Sequence, residues 1–575
     1  CARRDGAECR CGNGQDAYTT LPGSWSDPTS TASNRVSLSE TVYNSRGQVR
    51  QTVRHKIDPA DGSDDDTLTS SRWYDGAGRV IKTSGESLTK MAYDALGRAT
   101  HTYILASDND STHADAGTVS GDTVLEEHQS LYDDSTRSGN LLMSVAISRH
   151  PHDTSTTGAL DAVSDAVGVV AVGSGSFKGR AQITSYYYDE LDRQTATVAL
   201  GDNGGSSSYT RTSDSSVGSR SASRLISSTA YGYDGSVAYT TDPRNVSTVF
   251  DYDAAGRQTA TIVNYADGTP GGGTNGDQDQ VTEYAYTGGL LTSLTAKMPG
   301  SGNDQVTTYT YGVVTSGTLP SALASNRLLR QVVYPDSVDG GDVVRYAYNR
   351  LGQQTGLLDQ AGNQINTSYD LLGRETARAV TTLASGFDGS VRRVELAYLS
   401  RGPVSTVTQY DAASSGNVTD QVQYEYDGWG NLTHFHQDVD SAMSSPGTSA
   451  SGRSAFTVQH DLTKSAPTGG VHALRRTATY SKAGGTTFHQ VGYAYGSATI
   501  NDYASRVASV TVGSSPTTVA TYDYLGAGHL VGTTLDQANL NTSVFAESGG
   551  THTYSDLDRF NRPTRWNWER VGGAS

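Results

Sequence analysis

Short stretches in which apolar and polar residues alternate set the rhythm of this chain. Ser71-Arg72-Trp73-Tyr74 alternates, and Arg79-Val80-Ile81-Lys82-Thr83 alternates again after a break of four residues. Alternation over that length predicts half-buried β-strands. The break, Asp75-Gly76-Ala77-Gly78, is turn chemistry. An aspartate carboxylate accepts from backbone N–H groups two residues on. A glycine three places later supplies the positive φ of a four-residue hairpin loop, usually a type I turn with a bulge. Each such unit is predicted to be one β-hairpin of about 20 residues. An isolated hairpin is marginal in water, so consecutive hairpins are expected to pair edge to edge.

The same six-residue phrase recurs along the chain. Tyr74-Asp75-Gly76-Ala77-Gly78-Arg79 is followed by Tyr93-Asp94-Ala95-Leu96-Gly97-Arg98, Tyr252-Asp253-Ala254-Ala255-Gly256-Arg257 and Tyr369-Asp370-Leu371-Leu372-Gly373-Arg374. Looser copies are Tyr43-Asn44 with Gly47, Tyr188-Asp189 with Asp192-Arg193, Tyr348-Asn349 with Gly352, Tyr426-Asp427 with Gly430-Asn431, and Tyr522-Asp523 with Gly526. Degenerate forms are Tyr132-Asp133 with Gly139-Asn140, and Asp558 to Arg562. The arginine that opens the return strand is placed to stack its guanidinium on a tyrosine ring of a neighbouring hairpin. A second phrase, Asp242-Pro243-Arg244-Asn245 or Asp359-Gln360-Ala361-Gly362-Asn363, is read as the turn between hairpins, with a weaker echo from Asp536 to Asn541. The whole reads as a continuous antiparallel meander.

These Tyr-Asp-x-x-Gly-Arg units and Asp-x-x-Gly-Asn linkers resemble the YD repeats of the Rhs family, which includes bacterial Rhs toxins, the C component of Tc toxin complexes and the shell of teneurins. The resemblance implies an all-β fold, a YD-repeat β-hairpin strip spiralling into a hollow shell or tube. It also implies a polypeptide cargo enclosed by that shell in a toxin-delivery system. Residues 40–570 form the expected repeat region, 1–39 an irregular or partly disordered N-terminal segment, and 571–575 a truncated tail. The chain is expected to be a segment of a longer protein, because it opens without an initiator Met or signal peptide and ends without an evident stop signal; any cargo is then expected beyond Ser575, or there is none. The alternative is a cargo-free extracellular adhesin or fibre presenting a long β-surface to glycans or neighbouring cells.

Composition sharpens this picture. Tyrosine dominates the aromatic residues, 34 against 8 Phe and 5 Trp, which suits strands with one wet face rather than a large dry core. The formal net charge of −17 repels phosphate backbones and argues against nucleic-acid binding. No apolar run reaches the length of a membrane-spanning helix. All 3 cysteines, Cys1, Cys9 and Cys11, lie at the N-terminus, so the repeat region has neither a disulfide framework nor a cysteine zinc site.

Candidate chemistry is sparse. Asp61, Asp64 and Asp66 stand in an acidic loop that is a weak Ca²⁺ candidate without EF-hand spacing, and Asp108 to Asp115 is a second. His150 with His152, and His434 with His436, would share a strand face and could offer two zinc ligands. A surface pair at the end of a strand is the preferred reading of each. No nucleophile elbow, Walker loop or H-E-x-x-H helix appears. The Gly/Ser/Asp-rich stretches 107–121, 201–223, 267–280 and 438–452 read as flexible insertions at hairpin ends, with ligand-binding loops as the alternative. A non-enzymatic role is therefore expected, with no cofactor, protein partners (cargo or neighbouring subunits), possible glycans, and an extracellular or cell-surface setting.

Overall fold

The computed structural model describes residues 9–12 and 36–570, apart from 60, 134–138, 155–156, 161–169, 173–177, 203–208, 212–216, 267–276, 299–301, 336–341, 401, 451–454, 466, 468, 484 and 549–550. Cys1, most of the N-terminal segment, the tail and parts of the insertions at 201–223, 267–280 and 438–452 thus lie outside the described residues. The described chain is almost entirely β; its one α-helix, Ile500–Tyr503, has 4 residues. One element falls inside the segment expected to be irregular: strand Cys9–Gly12 pairs antiparallel with Leu38–Tyr43.

The chain divides into two compact units. The first comprises residues 1–225, 425–435 and 457–575; the second comprises 226–424 and 436–456. In both, successive strands pair antiparallel with their sequence neighbours, as the meander requires. In the first unit, Asp64–Tyr74 pairs with Val80–Ser84, and Thr89–Tyr93 with Ala99–Ser107. In the second, Ser247–Tyr252 pairs with Gln258–Tyr265, and Gln364–Tyr369 with Glu375–Thr382. The register slips by one residue at the tyrosine before each corner, between Trp73 and Tyr74, Ala92 and Tyr93, Asp251 and Tyr252, and Ser368 and Tyr369. This is the bulge that a four-residue loop with a left-handed glycine demands.

Within the first unit the strip also lies beside its own earlier stretch. Ile57 N–H donates to the Gly428 carbonyl, Asp108 N–H to Gly469, His472 N–H to Gly85, Gly526 N–H to Arg149 and Asp202 N–H to Arg559. Side chains join the same two stretches: Lys464 reaches Asp66 at 2.7 Å and Arg180 reaches Asn561 at 2.6 Å. Side-chain links of this kind span 336 to 404 residues. Gly201 shows how close the backbones come: at φ +61 its α-carbon leaves no room for a β-carbon against the Arg559 carbonyl. The first unit also has a buried core, with Ile57, Leu105, Met143, Ile147, Ile183 and Leu525 all at most 1 % exposed.

Candidate functional site: the repeated corner and a basic cavity

Every strict copy of the phrase builds one corner. At Asp75 the N–H donates to the Arg79 carbonyl at 3.0 Å and Gly78 N–H donates to the Asp75 carbonyl at 3.1 Å. The Asp75 carboxylate accepts from Arg79 N–H through Oδ1 and from the Arg79 Nε through Oδ2. Asp94–Arg98, Asp253–Arg257 and Asp370–Arg374 repeat this arrangement. Gly78, Gly97, Gly256 and Gly373 hold φ between +75 and +87. At Tyr188-Asp189 with Arg193 the glycine is replaced by Asp192, which adopts φ +61, and the aspartate–arginine pair is retained. The two full linker phrases build the same corner: Asn245 and Gly362 take the left-handed position after Asp242 and Asp359. The weaker echo does not; Asp536–Ala538 is a short 3₁₀ turn ended by Asn539 at φ +51.

The tyrosine welds one corner to the previous one. Tyr74 O–H donates to the Val49 carbonyl at 2.6 Å, Tyr93 to Val80 at 2.7 Å, Tyr188 to Leu141 at 2.9 Å, Tyr348 to Leu329 at 2.9 Å and Tyr369 to Gln354 at 2.7 Å. The stacking expected of the corner arginines is present. The Arg79 guanidinium lies 4.7 Å from the Tyr93 ring centre, Arg98 4.5 Å from Tyr132, Arg257 4.7 Å from Tyr286 and Arg374 4.3 Å from Tyr398. Burial pushes the Tyr93 and Tyr369 hydroxyls above their ordinary range. Asp253 is held below the usual carboxylate range by the side-chain bond from Arg257 and then by its N–H; for Asp370 the Arg374 N–H leads.

One rule of the corner was not read from sequence. Where asparagine replaces the aspartate, glutamine replaces the arginine. Asn44 Nδ2 donates to Gln48 Oε1 at 3.0 Å, and Asn349 Nδ2 to Gln353 Oε1 at 2.8 Å. Each glutamine then reaches the next corner, Gln48 to the Gly78 carbonyl and Gln353 to the Gly373 carbonyl, both at 2.9 Å. The neutral pair does what the charged pair does. At Tyr426-Asp427 with Gly430 the partner is Asn431, whose N–H bonds Asp427 Oδ1 at 2.8 Å.

The metal candidates disperse. Asp61 accepts from Ser63 N–H, Asp64 faces His55 at 2.9 Å, and Asp66 holds Lys464. In the second acidic loop a lysine stands where a cation would. The Lys90 ammonium, 2 % exposed, touches Asp110 and Asp122 at 2.6 Å and the carbonyls of Thr118 and Asp115. Lys82 lies 2.7 Å from both Asp108 and Asp110. This insertion is therefore an ordered element fastened to its hairpins by two buried lysines. Among the described residues no group of His, Cys, Asp and Glu is arranged to hold a metal ion.

His150 and His152 instead border a cavity of about 150 Å³ in the first unit, lined also by Arg149, Arg506, Asp523 and Tyr524. His150 stacks on His552 with ring centres 4.3 Å apart, and its Nδ1 lies 2.7 Å from the Tyr554 hydroxyl. Burial, with the neighbouring His552, moves the His150 imidazole down to about 4. His152, at φ +60, sets Nε2 2.6 Å from Asp523 and Nδ1 3.5 Å from Glu547. His434, from the other sequence pair, faces Glu425 at 3.0 Å.

The corners define the class: an all-β strip of YD-type hairpins, and the resemblance to the Rhs family stands on those residues. No protein-family model matches the chain, and no curated protein matches it. Solved structures similar to it include the "Crystal Structure of TcdB2-TccC3-Cdc42", 14 % identical over 90 % of this chain and 25 % of that one, with a TM-score of 0.36. The "Crystal Structure of TcdB2-TccC3-TEV" is 12 % identical over 90 % of this chain and 30 % of that one, TM-score 0.25. The Photorhabdus luminescens Tc holotoxin pore is 13 % identical over 92 % of this chain and 27 % of that one, TM-score 0.22. The chain thus spans between 25 % and 30 % of the length of these structures.

Proposed function

We propose that this chain is wall material: part of a non-enzymatic β-shell that encloses a polypeptide in a toxin-delivery assembly of the Rhs and Tc kind, working outside the cell that makes it. The observation that supports this reading is the lateral contact inside the first unit, where a hairpin strip is sealed against its own stretch some 400 residues earlier. A strip whose edges meet in this way can make a continuous wall, and the corners supply its stiffness without using any residue for chemistry. Among the described residues no helix is long and apolar enough to cross a membrane.

Exposed apolar residues on adjacent hairpin tips, Leu351, Leu371 and Leu372, favour a second reading, a cargo-free adhesin or fibre. Electron cryo-microscopy of the full-length gene product, with limited proteolysis, separates the two. The shell reading expects a closed wall around a lumen and a polypeptide that resists protease until the wall is opened. Filaments, or a filled particle with no protected segment, would overturn it.

A further inference from the structure

Six arginines in the described residues share one arrangement: each lies over the tyrosine of the next hairpin, and that tyrosine's O–H donates to the carbonyl of the residue after the arginine. The pairs are Arg79 with Tyr93, Arg98 with Tyr132, Arg257 with Tyr286, Arg374 with Tyr398, Arg475 with Tyr495 and Arg506 with Tyr524. Five of the six also grip an aspartate carboxylate at 2.5–2.7 Å, namely Asp75, Asp94, Asp253, Asp370 and Asp502. Arg506 does not.

The reason is visible in the chain. After Tyr495 the aspartate position holds Gly496, and the loop is lengthened through the short helix Ile500–Tyr503 before Arg506 opens the return strand. The one acid of that loop, Asp502, is bound to Arg475 of the preceding corner. Arg506 is left with neutral partners, Asn501 Oδ1 at 3.0 Å and the Gly526 carbonyl. Arg506 lines the cavity together with Arg149, which is 2 % exposed. Arg149 is held by the Val124 carbonyl at 2.5 Å, by the Asp153 carbonyl at 3.1 Å and, at 3.5 Å, by the Asp153 carboxylate. The other acids nearby are engaged: Asp523 with His152, and Glu126 with Ala527 N–H and His128. Burial and the like charge of Arg149 push Arg506 down to about 10, opposed by Tyr524 and Glu126, so a further anion would relieve it.

We propose that this cavity binds a carboxylate at Arg506, in the place that the corner aspartate occupies elsewhere in the chain. A guanidinium already flanked by a tyrosine face offers a planar fork matched to a carboxylate. The ligand is a short-stemmed acid, either a free small molecule or an acidic side chain of a polypeptide. This site does not depend on the encapsulation reading.

Isothermal titration of the purified chain at constant ionic strength, with propionate, with a short peptide amide carrying one aspartate, and with inorganic phosphate, tests it. Saturable binding of propionate or the peptide, at least tenfold tighter than phosphate, is expected; which of the two binds identifies the source. Arg506→Gln should weaken that binding tenfold or more. Glutamine stands at the sixth corner position in Gln48 and Gln353, and a thermal melt of Arg506→Gln matching the unaltered chain checks that the fold is kept. Arg374→Gln, in an intact corner, should leave binding unchanged. In the unaltered protein, bound acid should slow phenylglyoxal modification of Arg506 relative to chloride. Absence of saturable carboxylate binding, equal binding by Arg506→Gln, or unprotected Arg506 would each overturn the proposal.

Discussion

The two units use the same corner to different ends. In the first, some strands alternate sealed and half-exposed positions: Met143, Val145 and Ile147 are sealed on one face of Leu141–Arg149, and Ile183, Ser185 and Tyr187 on one face of Gly179–Tyr188. In the second, strands such as Leu290–Ala296 are half-exposed throughout, and no residue of Glu375–Thr382 is buried. Their sequences explain it: Gln364–Tyr369 carries Gln, Asn, Thr and Ser around a single isoleucine. The corner holds a strip together by hydrogen bonds, a cation–π stack and tyrosine welds, whether or not a dry face lies beneath it. Burial is a second layer of stabilisation, denser in the first unit, while the second unit seals a smaller set that includes Ile262, Val313 and Val332.

The largest expected effect falls on that second layer. Gly201→Val places a branched side chain at positive φ against the Arg559 carbonyl and should cost about 2–4 kcal/mol. Ile147→Ala should cost a similar ~2–4 kcal/mol, whereas Ile365→Ala in the second unit should cost about 1 kcal/mol or less. Hydrogen exchange of the flanking strands reads both. Equal losses in the two units would erase the distinction drawn here.

Corner variants should not distinguish the units. Gly97→Val in the first and Gly256→Val in the second meet ordinary or empty space, so only their φ of +87 and +75 is strained. Each should cost ~1–3 kcal/mol, and thermal melts should shift alike. A much smaller loss at either would mean that the corner is not doing the same work in both.

Acid should separate the units again. His150 is neutral in the fold down to about 4 but titrates near 6.5 when unfolded, so the unfolded chain binds the extra proton in between. Stability at the contact of His150 with His552 and Tyr554 should fall as pH drops from about 6.5 to 4, by roughly 1–2 kcal/mol after allowing for solvent screening. Asp153, Arg180 and Arg149 also face that imidazole. The corner aspartates Asp253 and Asp370 lie below their ordinary value, so their contribution is intact above pH ~4 and is lost only on further acidification. Exchange around 545–554 should therefore quicken before exchange around 253–257 and 370–374. Simultaneous loosening would contradict the assignment. The smallest effect is expected for Arg374→Lys, which keeps the charge but loses the planar fork over Tyr398, at ~1 kcal/mol or less in a melt.

The corners were legible because their parts are local: aspartate, glycine and arginine lie within five residues, and turn chemistry and guanidinium stacking follow from residue type. The tyrosine welds were half legible, since the ring stack can be expected from the arginine but the acceptor is a backbone carbonyl that any sequence would supply. The exchange of Asp/Arg for Asn/Gln was present in Asn44 and Gln48, and in Asn349 and Gln353, and needed only a reading of the second and sixth positions together. The stretched corner from Tyr495 to Arg506 was hidden because its aspartate is missing and its loop has changed length. The acidic loop at 108–115 misled as a cation candidate because its cations, Lys82 and Lys90, lie on neighbouring strands. The lateral contacts leave no periodic signal at all; they rest on main-chain groups and scattered side chains more than 330 residues apart.

That lateral contact is the claim on which the wall depends, and a zero-length carbodiimide cross-link tests it on the unaltered protein. Lys56 with Asp65 at 3.0 Å is a local pair, and Lys464 with Asp66 at 2.7 Å joins the distant stretches. Mass spectrometry should recover both cross-links within single chains, in comparable yield. Recovery of the local link alone, or of the distant link only between different chains, would contradict the account.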